Sequence, residues 1–221
     1  YSPEQAVRYL ELYLLRIQSE NLKSLIRAAH ARLPTEQRTS RVYLSVEKYF
    51  KQAELVEEAA KASAIAQIVH VYKRTDYNEA LSLGLKSYEE SGSQTSIEIF
   101  IDKLFYEKLC RSYERLPQRE KSHARFYASL ENDSFVLLTL LRGKILNYDP
   151  NWLRLAVPPN SFNLNKREVE AIVSALNFEA AYKLVLDSYY GKYFERASTP
   201  EETVANAERA FRRDLLRHAK A

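Results

Sequence analysis

At 221 residues the chain is long enough to bury a substantial core, as one large domain or two smaller ones. Hydrophobic residues at 46% and charged residues at 28% are ordinary for a globular protein, and 4 Gly with 7 Pro are too few turn formers for a sheet with many hairpins, so the expected class is all-α. The net charge of +4 comes with acids interleaved among the Lys and Arg, as in 54–61 and 103–120; this fits a mixed-sign surface better than a nucleic-acid footprint, and it suits an anionic membrane surface or an acidic partner equally well.

Ser2, Pro3 and Gln5 read as a helix start: a hydroxyl cap, Pro at the first helical position, and Gln three residues after the cap. The helix runs through Tyr9, Leu12, Tyr13, Ile17, Leu22, Leu25 and Ile26 and stops before Pro34. Residues 35–52 are mixed, with a small helix expected near 41–44. Helices near 53–61 and 63–73 follow, and Asp76 with Glu79 is placed to cap a fourth through Leu81 and Leu85 to Tyr88. After a loop at Ser91, Gly92, Ser93 and Gln94, Thr95 and Glu98 have the spacing of a capping box for a helix that ends at Pro117.

The long helix expected near 118–147 is the centre of the pattern. Its apolar residues Leu130, Val136, Leu137, Leu140, Leu141 and Ile145 follow one face, and Phe135 and Leu138 widen it. Asp133, Arg142 and Lys144 are therefore charges on a helix with little room for charge. Asp149 and Pro150 start a short helix carrying Trp152 and Leu155, and Val157, Pro158, Pro159 and Asn160 form an extended connector. Asn165 with Glu168 starts the next helix, stapled by Leu164 and Val169. Asn177 starts another through Ala181, Leu184 and Leu186 to Tyr190, and Thr199 with Pro200 opens the last, still amphipathic at Ala221. A start at Tyr1, the absence of Met and this ending together read as a fragment of a longer fold. Cys110 stands alone, so no intramolecular disulfide forms and a reducing cytosolic setting is expected. No apolar run approaches the roughly 20 residues that span a bilayer, and no signal peptide is expected.

The order of helices recurs. At an offset of 115, Leu22, Leu25, Ile26 and Arg27 fall on Leu137, Leu140, Leu141 and Arg142; at 113, Val56, Ala59 and Tyr77 fall on Val169, Ile172 and Tyr190. At 106, Asp102, Phe105 and Leu109 fall on Glu208, Phe211 and Leu215. The expectation is a set of pseudo-symmetric helical subdomains: a first repeat in 1–92, a linking helix and second repeat in 93–196, and a second linking helix in 197–221 leading toward a missing third repeat.

With these residues in place the chain resembles the C subunit of A-type and V-type ATP synthases and ATPases, known in vacuolar enzymes as the d subunit. That family carries a helix of the form Asp-x-x-Asn-Leu-x-x-x-x-Arg-x-Lys in each of three subdomains. Asp133, Leu137, Arg142 and Lys144 match it, with Val136 in place of Asn; Asn21, Leu22 and Arg27 match it again, with Gln18 for Asp and Ala29 for Lys. The resemblance covers nearly the whole chain in element order. It implies a non-catalytic, funnel-shaped rotor subunit at the cytoplasmic face of the membrane, without cofactor or small-molecule substrate. Its partners would be the central-shaft subunits on one side and the proteolipid ring on the other.

Arg27 and Arg142 admit two readings: contact with a partner, or pairing with a carboxylate or helix end of their own subdomain, which a buried Arg requires. His30, His70, His123 and His218 are scattered without ligand spacing, so no metal site is expected. Gly143 and Gly191 are isolated, which gives no phosphate loop, and no nucleophile elbow is present. The 16 Tyr, among them Tyr77 and Tyr190, suit packing or an interface better than base stacking. Arg209, Arg212, Arg213, Arg217 and Lys220 opposite Phe211, Leu215 and Leu216 make the last helix either a membrane-surface helix or a seam for a further subdomain. The loop at Pro158 and Pro159 is a candidate contact edge. The rival reading is a basic helical nucleic-acid-binding or scaffold protein.

Overall fold

The computed structural model describes residues 3–218, and among these the ordered elements are helices alone, with no strand. Ser2 and the side chain of Gln5, expected at the first cap, lie outside what is described, as do Lys220 and Ala221. The chain divides into two compact units, Tyr1–Lys108 and Leu109–Ala221.

The first unit is built on α1 (Pro3–His30), 28 residues and about 42 Å long. Its Leu22, Leu25 and Ile26 are fully buried against Val56 and Ala59 of α4 (Ala53–Lys61), Ile68 of α5 (Ile65–Val71), and Leu81 of α6 (Asn78–Ser91). Ile97 and Ile101 of α7 (Thr95–Glu114) complete the core. Gly84 lets α6 come close to α7, since a Cβ there would lie 2.7 Å from the Ile97 Cα. Gly92, at φ 69°, closes α6 in the left-handed region.

Three local expectations fail here, each because a long-range charge contact takes the residue. Between α1 and α4 the chain forms two short helices, α2 (Thr35–Thr39) and α3 (Leu44–Tyr49), rather than one at 41–44. They turn Arg38 and Glu47 inward, where both are buried. Asp76 does not cap α6: the cap residue is Tyr77, without a side-chain bond, and Asp76 pairs with Lys108 at 2.7 Å. Thr95 lies inside α7 rather than before it, and both Glu98 oxygens bond Arg27 instead of the helix start.

The second unit is built on α8 (Gln118–Ile145), which buries Leu130, Val136, Leu137, Leu138, Leu140 and Leu141. Around it lie α9 (Pro150–Ala156), α10 (Lys166–Ser174), α11 (Phe178–Leu186) and α12 (Pro200–His218). The local caps form as read. Asp149 accepts from Asn151 and Trp152, Asn165 and Glu168 close a full capping box, Asn177 accepts from Ala180, and Thr199 accepts from Glu202. Leu164 and Val169, the expected staple, both pack into the core.

Both long helices end in the same way. After α1 the chain turns through Arg32 at φ 53°, and the Leu33 amide donates to the Ala28 carbonyl at 2.9 Å. After α8 it turns through Asn147 at φ 55°, and the Tyr148 amide donates to the Gly143 carbonyl at 2.9 Å. This left-handed close satisfies carbonyls that the helix end leaves open.

Candidate functional site

Asn21, Tyr77, Asp133, Lys144 and Tyr190 make buried polar contacts along the two long helices, whereas Arg27 and Arg142 pair nearer the surface. In the second unit Asp133, on α8, has no exposed surface. Its carboxylate accepts from the Phe162 amide at 2.9 Å, the Asn163 amide at 2.7 Å, Asn132 Nδ2 at 3.0 Å and the Tyr190 hydroxyl at 2.9 Å. Asn163 Nδ2 in turn donates to the Tyr190 oxygen at 2.9 Å, and Asn132 Nδ2 also reaches the Asn160 carbonyl at 3.1 Å. The carboxylate thereby fixes the non-helical segment that follows Pro158 and Pro159. Pro158 is buried and Pro159 exposed. Burial pushes the Asp133 carboxyl above its ordinary range, and the amide and hydroxyl donors offset this only in part. Burial, followed by the nearby Asp133, likewise pushes the Tyr190 hydroxyl up.

Eleven residues along α8, about 16 Å away, Lys144 turns its ammonium to the end of α10. It donates to the carbonyls of Val173 and Ala175 at 2.6 Å each, while only 7% exposed. A cation there meets carbonyls with no intrahelical partner and the negative end of the α10 dipole. Desolvation, with Arg154 adding to it, lowers the Lys144 pKa. Arg142 points elsewhere, to Glu208 of α12, and both side chains keep substantial exposure.

In the first unit the same kinds of contact are made by other residues. Asn21, 1% exposed, donates from Nδ2 to Glu47 Oε1 at 2.7 Å and accepts from the Tyr43 amide at 2.8 Å. Gln18 donates to Glu47 Oε2 at 3.0 Å. Burial raises the Glu47 carboxyl above its usual range despite these two donors. Arg38 donates to the Leu33 carbonyl at 2.6 Å and, at the end of α4, to the carbonyls of Ala62 and Ala60. Arg27 makes a two-pronged pair with Glu98 of α7, and this raises its pKa. Lys23 sits between Asp102 at 2.7 Å and Glu20 at 2.6 Å; burial pulls its pKa down, but the two carboxylates raise it more. The Tyr77 hydroxyl meets that of Ser19 at 3.0 Å.

Thus the structure joins Asp133 to Tyr190 and leaves Lys144 and Arg142 in separate contacts; Asn21 and Arg27 are likewise apart. Glu47, Arg38, Asn132 and Asn163 belong to these clusters and were not singled out in the sequence. A carboxylate or guanidinium in a short polar stretch reads as solvated, and only the fold turns it inward. The donors around each buried charge come from its own unit, so the clusters act chemically as clamps. They pin loop segments and helix ends to α1 and α8. Among the described residues no group of three or more His, Cys, Asp or Glu is placed to hold a metal ion.

Comparison with known proteins places the chain. It is 26% identical over 94% of its length to the C subunit of the A-type ATP synthase of Methanothermobacter thermautotrophicus, of which the match covers 54%. It is 21% identical over 89% of its length to the C subunit of the A-type ATP synthase of Methanocaldococcus jannaschii, covering 48% of that protein. The protein of the same name from Pyrococcus abyssi is 24% identical over 77% of the chain and is covered to 45%. The chain thus spans about half the length of the curated relatives it matches. No solved structure matches it at a significant level. The family described as ATP synthase (C/AC39) subunit matches residues 1–221, the whole of the chain. The chain belongs to that family.

Proposed function

We propose that this chain is part of a non-catalytic central-stalk linker of an A/V-type rotary ATP synthase, joining the central shaft to the membrane proteolipid ring. The observation that carries this reading is the family match across residues 1–221. The polar contacts support it: Asp133, Lys144, Arg27 and Arg142 are each tied to a loop amide, a helix end or a carboxylate of their own unit, as a rigid adaptor requires. No described helix is long and apolar enough to cross a membrane; the peripheral place on the cytoplasmic face is part of the proposal and rests on the family reading.

The same reading includes two related helical subdomains. The left-handed closes at Arg32 and Asn147 stand 115 residues apart, as do Arg27 and Arg142. The carbonyls held by Arg38, Ala60 and Ala62, stand 113 residues before those held by Lys144, Val173 and Ala175. We take Arg38 to stand in for the Lys that Ala29 replaces, and Glu47 for the Asp that Gln18 replaces. The repeats would be 1–92 and 93–196, with each linking helix, α7 and α12, packed back on the core of the unit before it.

The test is a pull-down of the protein against the purified shaft subunits and proteolipid ring of its own source, paired with anisotropy titrations against short DNA and RNA. Retention on shaft or ring with no nucleic-acid binding is the expected result. Salt-sensitive nucleic-acid binding without retention on either would replace this reading by the basic-scaffold alternative.

A further inference from the structure

One face of α12 lies outside the core of its unit, with Arg209 on it donating to Asn206 of the same helix. Val204, Ala207 and Phe211 are buried in the core, and Leu215 packs against it. The opposite face carries Arg209, Arg213 and Arg217 at successive intervals of four, with Arg212 and Leu216 beside them, all exposed. Arg209, Arg213 and Arg217 line, with Lys192, an open groove of 940 Å³ against residues 192–195. On the other flank a shallower recess of 360 Å³ is lined, among the described residues, by arginines and Leu216 alone. Two carboxylates, Glu195 and Asp214, also line the first groove, and Asp214 already accepts the Tyr193 hydroxyl. Glu208, the nearest acid to Arg212 at 3.8 Å, is bonded by Arg142.

The spacing selects the partner. At 1.5 Å per residue the three arginines form a row rising about 12 Å along the axis, about 6 Å per step, and inclined to it as i±4 rows are. A helix with Asp or Glu at the same four-residue interval presents carboxylates at the same pitch, each able to take a guanidinium fork. A single phosphate or lipid headgroup spans one position of the row. A membrane-surface helix needs a broad apolar face, but Phe211 and Leu215 point inward and leave Leu216, 58% exposed, as the apolar residue among the arginines. Single-stranded nucleic acid needs a free aromatic platform, whereas Tyr193 is stacked on Phe211 at 4.2 Å and bonded to Asp214.

We propose that the row Arg209, Arg213, Arg217, with Leu216 beside it, is an interaction surface for an acidic helix of another polypeptide. The inference goes beyond the linker reading, under which that polypeptide is another subunit of the assembly. The test places the photo-cross-linker p-benzoylphenylalanine at Leu216 of the full-length protein in its native host, followed by mass spectrometry of the adduct. The expected adduct is a segment of another protein with acidic residues at intervals of four, and Arg213→Glu with Arg217→Glu lowers its yield at least tenfold. The same reversal at Lys166 and Arg167, exposed at the start of α10, leaves the yield unchanged. An adduct to lipid, to nucleic acid or to the same polypeptide overturns the proposal. So does no adduct, or a yield indifferent to the arginine reversals. If the protein is isolated within a rotary ATPase yet Leu216 captures no acidic segment, this inference falls and the linker reading stands. Capture of an acidic helix from a protein outside such an assembly upholds the inference and removes the linker reading.

Discussion

Asp133 has four donors on two oxygens, and none of them is another charge. Removing it with Asp133→Ala leaves the amides of Phe162 and Asn163 without their acceptor, while the Tyr190 hydroxyl keeps the Ser129 carbonyl at 3.2 Å. Each such loss costs about 1–3 kcal/mol, so a total of at least about 2 kcal/mol is expected in chemical denaturation. Tyr190→Phe deletes one of these donors and should cost about 1 kcal/mol. Equal effects of the two substitutions would contradict the clamp. Glu47 supports a separate test by pH. Its carboxyl titrates above the unfolded value of about 4.3, so between the two values the folded protein holds the proton more tightly. The Glu47 contribution to stability is therefore fully present below the unfolded value and is lost as pH rises through the folded one. Relative to Glu47→Gln, which cannot titrate, the native protein should gain melting temperature as pH falls from 7 toward about 4. Parallel curves would show that Glu47 is not perturbed.

At the scale of elements, the end of a short helix is held by a buried cation in both units, but the cation comes from different places. Lys144 reaches from α8 itself; Arg38 reaches in from α2, and Ala29 leaves the corresponding site on α1 apolar. Arg38→Ala should cost about 2 kcal/mol, from several carbonyls left without donors. If the units are related as proposed, Ala29→Lys in that background should recover at least half of the loss. In the native background the same Lys meets Arg38 and should destabilise. The double-mutant cycle would then show strong coupling, and simple additivity would sink the correspondence. This is also where the sequence stops being legible. Caps at Asp149, Asn165, Asn177 and Thr199 could be read because donor and acceptor lie within three residues of each other. Asp76, Glu98 and the 35–52 stretch could not, because Lys108, Arg27 and the α4 carbonyls that claim them lie 22 to 71 residues away.

For the molecule as a whole, the scarcity of Gly and Pro was enough to give the class, helix starts and breakers with apolar spacing gave the order of the longer helices, and a few degenerate motif positions were enough to point to the family. The chemistry of the clusters was not, since a sequence motif marks a position and says nothing of which segment folds over it. Arg27 and Arg142 match in sequence, yet one pairs at the first turn of α7 and the other near the middle of α12. Asp133 shows what this means for motion. Residues 160–163 lie outside any helix, and an irregular surface segment ordinarily exchanges its amide hydrogens with solvent almost at once. Here two of those hydrogens are bound to a carboxylate with no solvent exposure, so the Phe162 and Asn163 amides should exchange as slowly as those of α8. In hydrogen–deuterium exchange a slow island should stand within a fast connector, and Asp133→Asn should dissolve that island before the helices around it begin to open.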